Sequence, residues 1–324
     1  MIVLWRVSNH CNLACPFCAY DKRLALPRDE ADPAQVGRVI DLLGAWRLKT
    51  GRPVLLSWLG GEPLLWSPRA ALDAHAAKQG VDLSLTTNGT RLGAPRVRAE
   101  LLQRYREVTI SIDGMADFHD SMRGWQGAFG KLARSVPALA AERDAAAAPL
   151  KIRANVVLMR DNVAGFTALC RTLSGWGVDE ISFNQLGGRD RPEFYPGHRL
   201  RADDVAYLAA EVPRLRAELA PAGTILVGGA AYLQRFADTV AGRPLKIADC
   251  RLAETFLFID EAGRIAPCSF APEHFAVTVE DLRSPADLDT LPRRLRSHQQ
   301  AHPARDCADC PSTQQSDKFE PLVA

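Results

Sequence analysis

Three cysteines, Cys11, Cys15 and Cys18, stand at the spacing C-x3-C-x2-C directly after the apolar run 2–7. Three thiolates on one short loop can hold three irons of a [4Fe–4S] cluster and leave the fourth iron without a protein ligand. An open coordination position is where a metal centre takes a small molecule. The same residues suit two other arrangements. One is a zinc site, for which the adjacent His10 would supply a further ligand; the other is buried thiols packing as small hydrophobes.

A second group, Cys250, Cys268, Cys307 and Cys310, is spaced C-x17-C, then 38 residues, then C-x2-C. Four thiolates can occupy every iron of another [4Fe–4S] cluster, or one structural zinc. The eighth cysteine, Cys170, lies among Phe166, Leu169 and Leu173 at helical spacing, which makes it a core residue. Its sharper reading is a thiol hydrogen-atom donor.

Other chemistry-bearing residues fall where strands end. Gly60-Gly61-Glu62-Pro63 puts a carboxylate beside bare backbone. Glu62 there can accept from an ammonium group, or cap an ordinary strand-to-helix turn. Thr87-Asn88-Gly89-Thr90 is a turn at the next strand end. Ser111, Asp113, His119, Asp120 and Arg123 follow the strand after that.

In these motifs the sequence resembles the radical S-adenosylmethionine (SAM) superfamily. The resemblance implies that Cys11, Cys15 and Cys18 hold a [4Fe–4S] cluster whose open iron chelates SAM through its amino and carboxylate groups. The reduced cluster would cleave SAM to a 5′-deoxyadenosyl radical that takes a hydrogen atom from the substrate. It also implies that Gly61 and Glu62 seat the SAM amine. Ser111 would meet the ribose and Arg123, twelve residues on, the SAM carboxylate, while Phe17 would lie near the adenine. The segment from Ser111 to Arg123 is similar to that of radical SAM peptide maturases and anaerobic sulfatase-maturing enzymes. The second cysteine group resembles the twitch subdomain, a one-cluster relative of the SPASM domain. A seven-cysteine SPASM domain is excluded by count.

Composition narrows the function classes. The net charge of +2 and sparse aromatic residues give no pull towards nucleic acid. There is no 18-residue apolar stretch and no secretory signal pattern, so no membrane association is expected. A cytoplasmic protein is expected, in which the seven grouped cysteines serve as metal ligands rather than disulfides.

Stretches 2–7, 54–59, 81–86, 107–112, 151–158 and 180–185 read as strands alternating with helical patterns, the last at 202–219. That rhythm predicts an α/β fold with a parallel sheet. With the resemblance it predicts a partial (β/α)6 TIM-like barrel over residues 1–220, and a small twitch/SPASM-like domain with its own cluster over 221–324. Residues 256–266 read as a hairpin carrying Cys268 at its exit, and 288–299 as a helix. The Ala- and Arg-rich stretch 130–148 reads as a solvated helix. Loop 187–199 follows strand six, so Arg189, Arg191, Tyr195 and His198 are candidates for substrate contact.

The expected activity is a radical hydrogen abstraction leading to dehydrogenation or epimerisation of a small molecule or peptide in a specialised biosynthetic pathway. An external one-electron donor such as flavodoxin or ferredoxin would reduce the first cluster. The alternatives are a maturase that cross-links or oxidises a residue of a peptide, and a non-catalytic zinc-binding interaction protein. The resemblance puts formylglycine formation in doubt, because Ser269 stands where sulfatase-maturing enzymes have a basic aspartate. Molybdenum-cofactor cyclisation is likewise doubtful, for want of the cysteine spacing and a C-terminal Gly-Gly. Strand one begins near residue 1, which leaves no room for a leader-binding domain and shifts weight towards a small molecule or a partner-delivered peptide.

Overall fold

One sheet of nine strands organises the chain, in the order β7-β6-β5-β4-β3-β2-β1-β8-β9. The computed structural model describes residues 1–247, 249–250, 254–313 and 318–319. The strands are β1 (Ile2–Ser8), β2 (Leu55–Gly60), β3 (Asp82–Thr87), β4 (Tyr105–Ser111), β5 (Lys151–Leu158), β6 (Glu180–Gln185), β7 (Ile225–Leu226), β8 (Phe256–Ile259) and β9 (Ile265–Ala266). All neighbours are parallel except β8 and β9, which form a hairpin. The sheet ends at β7 on one side and β9 on the other, so the barrel is partial.

Helices connect the parallel strands, as that connection requires. They are α1 (Pro33–Thr50), α2 (Arg69–Lys78), α3 (Pro95–Arg104), α4 (Ala116–Arg123), α5 (Ala128–Ala145), α6 (Phe166–Gly175), α7 (Tyr195–His198), α8 (Ala202–Leu219) and α9 (Ala230–Val240), with α10 (Pro285–Ala301) after the hairpin. Asp32 caps α1 by accepting from the Ala34 N–H, and Pro33 opens it.

The six expected strands match β1 to β6 within two residues at either end. Two expectations need correction. The stretch 130–148 is not a solvated helix: α5 buries Leu132, Val136 and Leu139 against the sheet core, and the dense Ala and Arg between them hid that stripe. The hairpin at 256–266 is not separate from the barrel sheet. β8 pairs in register with β1, Ile2 opposite Phe256 and Trp5 opposite Ile259. An added helix, α9, buries Tyr232, Leu233 and Phe236.

The outer strand faces are apolar and covered by helices. The inner faces are mixed: Ser57, Ser84, Thr86, Thr109, Asn155 and Ser182 line a lumen of about 1040 Å³ together with Leu4, Leu55, Leu59, Val227 and Phe256. A strand with one apolar and one polar face alternates with period two. Here the face that carries the polar residues looks into the barrel, polar on β3 to β6 and largely apolar on β1 and β8.

Candidate functional site

The C-terminal ends of β1 to β4 converge on the first cysteine loop. Its beginning is pressed against the Gly60-Gly61 turn. The Gly61 N–H donates to the Ser8 carbonyl at 2.8 Å, and the Glu62 N–H to the His10 carbonyl at 2.8 Å. A Cβ on Gly60 would fall 2.3 Å from the Ser8 oxygen, and one on Gly61 2.1 Å from the His10 oxygen. The glycines are needed where the two loops meet.

Glu62 is fully buried and accepts three hydrogen bonds, from the N–H groups of Leu64 (3.0 Å) and Asn88 (2.7 Å) and the Thr87 hydroxyl (2.8 Å). It caps the 3-10 turn at Pro63–Leu65. Burial raises its pKa to about 6 against those bonds. An ionised carboxylate offers about four acceptor sites, so one remains for a ligand donor. In this structure Glu62 works chiefly as the clasp between the Gly60-Gly61 turn and the turn at Thr87–Thr90. Asn88, unmarked as a site residue in the sequence, donates to Asn12 Oδ1 at 2.9 Å and lies 3.8 Å from Cys11 Sγ.

Arg123 enters from α4, against the same loop. Its guanidinium is 4.0 Å from Cys15 Sγ, and its Cζ is 5.4 Å from the centre of the Phe17 ring. Its Nε sits 2.7 Å from Asp113 Oδ2, although the N–H is not aimed at that oxygen and both atoms are without a hydrogen bond. Asp113 Oδ1 accepts the Val157 N–H, and the Asp113 N–H donates to His119 Nδ1. Buried polar atoms without an aligned partner are uncommon; here they belong to a cation beside the cysteine loop, where an anionic ligand group would fit. Ser111 ends β4 opposite Asn155 of β5. Arg123 thus lies against the loop with Phe17 under its guanidinium, and Ser111 stands at the C-terminal end of β4.

The thiols themselves are buried. Desolvation raises the Cys11 and Cys15 pKa values and takes Cys18 to about 12. Such thiols become ligands only when a metal displaces their protons. Among the described residues no three His, Cys, Asp or Glu side chains gather tightly enough to hold one metal ion. Zinc would draw four donors within about 2.3 Å of a single centre, whereas a cubane takes one thiolate per iron. Three thiols on one loop suit a cubane that keeps one iron open.

Cys250, Cys268, Cys307 and Cys310 all line one further cavity, walled by Pro267, Phe270, Ala271 and Phe275. None of the cysteines is in a disulfide. Burial pushes Cys268 up to about 12 and Cys310 to about 11. Four thiols from three separated segments in an apolar cavity fit a fully ligated cluster. Cys170 is fully buried within the apolar core cluster, and desolvation drives its thiol pKa far up.

A cavity of about 280 Å³ is lined by Tyr20, two residues past Cys18, and by Ser269, next to Cys268, with Arg189, Phe270, Arg6 and Leu59. Arg6 of β1 ties its walls together through Glu261 and the Tyr20 hydroxyl (3.1 Å). Arg189 stacks over Phe270 and lies 3.5 Å from Asp306, beside Cys307. Arg191 reaches Asp21 at 3.3 Å. Tyr195 and His198 face elsewhere, towards Arg199 and Asp161. Leu59 also lines the barrel lumen, so the two cavities adjoin.

Residues 5–142 match the Radical SAM superfamily. The chain is 30% identical over 169 residues to an AdoMet-dependent heme synthase of Nitratidesulfovibrio vulgaris, covering 51% of this chain and 42% of that protein. It is 26% identical over 270 residues to the mycofactocin maturase MftC of Mycolicibacterium smegmatis, covering 82% and 64%. Streptococcus suis SuiB bound to its precursor peptide SuiA superposes with a TM-score of 0.67 at 15% identity, over 98% of this chain and 70% of that one. The chain spans less than half the length of the first curated relatives it matches. No helix among the described residues is long and apolar enough to cross a membrane.

Proposed function

We propose, for a chain whose residues 5–142 match the Radical SAM superfamily, a reaction in which SAM is cleaved reductively and a substrate C–H bond is oxidised or inverted. The substrate is a peptide or a small molecule in a specialised biosynthetic pathway. A bound [4Fe–4S] cluster and SAM would supply the hydrogen-abstracting radical. Cys11, Cys15 and Cys18 would hold that cluster. Arg123 would pair with the SAM carboxylate, with Phe17 beside it; Ser111 would reach the ribose, and Gly61 and Glu62 would bound the amine. Cys250, Cys268, Cys307 and Cys310 would hold a second, fully ligated cluster able to take an electron.

The observation that carries this reading is the cavity shared by Tyr20, just past the first cysteine group, and Ser269, just past Cys268. A substrate there would lie against residues that flank both cysteine groups, which suits a net oxidation. Ser269 is a weak base, so an oxidation that releases a proton needs another acceptor on the substrate side. The peptide alternative, oxidation or cross-linking of a residue, is favoured by the likeness to the maturase MftC. An outside one-electron donor, flavodoxin or ferredoxin in type, completes the scheme, which suits the cytoplasm.

The deciding measurement is iron, sulfide and zinc in anaerobically reconstituted protein, with the Cys11/Cys15/Cys18→Ala variant alongside. About eight irons falling to about four supports two independent clusters. About four falling to none, with zinc retained, removes the electron-accepting role and favours epimerisation. Colourless zinc protein with no iron refutes the enzyme reading.

A further inference from the structure

The barrel lumen contains a cation that the proposed chemistry does not use. Lys318, from the C-terminal segment, is 4% exposed and lies inside the barrel. Its carbonyl accepts the Gly228 N–H at 3.1 Å. Its Nζ donates to Asn184 Oδ1 at 2.8 Å and sits 5.8 Å from the Tyr232 ring and 5.2 Å from the Phe319 ring. Tyr232 also donates to Asn184 Oδ1, at 3.2 Å, and to the Phe183 carbonyl. Asn184 donates to Asn155 Oδ1 at 3.0 Å, which takes the Ser182 hydroxyl as well. Asn155 stands opposite Ser182 of β6 and Ser111 of β4, so this polar chain runs across the sheet from Asn184, near the C-terminal end of β6, towards the end of β4.

The charges in the lumen otherwise cancel. Arg153 pairs with both Glu107 and Glu180, and Lys151 lies 3.5 and 3.6 Å from the same two carboxylates. Lys318 is left over. An ammonium has three donors, and among the described residues this one has a single hydrogen-bond acceptor. Burial, and then Arg153, lower its pKa to about 7 against the pull of Glu180, so the amine would readily gain a full charge as an anion arrives.

We propose that Lys318, braced by Asn184 and Tyr232, is the anchor of a carboxylate-binding subsite in the lumen. The substrate modified at the rim would carry a carboxylate that reaches it. That second statement rests on the proposed radical chemistry; the subsite itself does not. A lumen of about 1040 Å³ that adjoins the upper cavity at Leu59 has room for such a group.

Probe and control can be isosteric. Anaerobically reconstituted holoenzyme is titrated with 4-fluorobenzoate and with 4-fluorobenzamide, and binding is read from fluorine line broadening. The benzoate is expected to bind about tenfold more tightly than the amide, as a charge-assisted hydrogen bond allows. Lys318→Met should abolish the preference and Lys318→Arg should keep part of it; Lys318→Gln replaces the Met variant if that fails to fold. No preference in the wild type, no binding at millimolar probe, or a preference that survives in Lys318→Met or Lys318→Gln overturns the subsite. SAM cleavage is assayed on the same samples. A preserved benzoate preference with no SAM cleavage would strike the proposed function and leave the subsite standing.

Discussion

The α-carbon of Gly61 lies so close to the His10 carbonyl that an added methyl would sit 2.1 Å from its oxygen. The neighbouring contact is backbone as well, the Cys11 nitrogen at 2.9 Å. No side chain can turn away to make room. Gly61→Ala should therefore displace the first cysteine loop as a unit. Iron content is expected to fall by about half while the C-terminal site keeps its metal, measured by iron analysis and by the electron paramagnetic resonance of what remains.

The Arg123–Asp113 pair offers a second test. Both side chains are nearly inaccessible. Removing one charge alone strands the other, at a typical cost of about 3–5 kcal/mol. Arg123→Met and Asp113→Asn should each destabilise the cluster-free protein strongly, and the double variant should be far less than additive. SAM binding should stay lost in the double variant, because the cation beside Cys15 is gone. Denaturant unfolding and equilibrium dialysis read the two effects separately.

His119 makes stability depend on pH. It is fully buried, and desolvation lowers its pKa from 6.5 to about 4, the attraction of Asp113 offsetting part of that. The folded state therefore holds a neutral ring that the unfolded state protonates first. The stabilisation is complete above pH 6.5 and is lost progressively as pH falls towards 4. The shift corresponds to about 3 kcal/mol. His119→Asn keeps an acceptor for the Asp113 N–H and should flatten this slope in unfolding curves of cluster-free protein taken between pH 4 and 7.

Asn88 lies 3.8 Å from Cys11 Sγ with its amide nitrogen. Hydrogen bonds to cluster sulfurs favour the more negative, reduced state. Asn88→Asp replaces the donor with a charge of nearly the same shape. The midpoint potential of the first cluster should move to more negative values, as read by redox titration, with iron content unchanged. An unmoved potential would mean that Asn88 serves only to hold Asn12.

Product stoichiometry tests the overall reaction. One 5′-deoxyadenosine per product is expected, with no deuterium returned to SAM from 5′-deoxyadenosine during turnover. Isotope return would point to a recycled radical and a redox-neutral rearrangement.

Much of this was legible in the residues. The strands carry enough β-branched and alternating apolar positions to be placed by period alone, and the cysteine spacings are local. Contacts between distant segments were not legible. Nothing in 180–199 announces that Arg191 meets Asp21, or that Arg189 stacks on Phe270. Asn155, Ser182 and Asn184 look like the solvated face of half-buried strands, because period-two polarity is the same whether that face meets water or a lumen. Glu62 had both a ligand and a capping reading, and only the three donors around it show how far the cap occupies it. The α5 stripe was masked by composition, its leucines and valine diluted by alanine.

The pairing of β8 with β1 has a kinetic consequence. β1 runs straight into the first cysteine loop, and β8 turns through its hairpin into Cys268, so the first group and one member of the second are tied to adjacent strands of one sheet. If each group holds a cluster, the gap between them is set by peptide hydrogen bonds rather than by a hinge. Electron tunnelling falls off steeply with distance, and here that distance would not vary with substrate entry. Any gating of the second electron must then come from the occupant of the gap, which makes substrate itself the switch that connects the two centres.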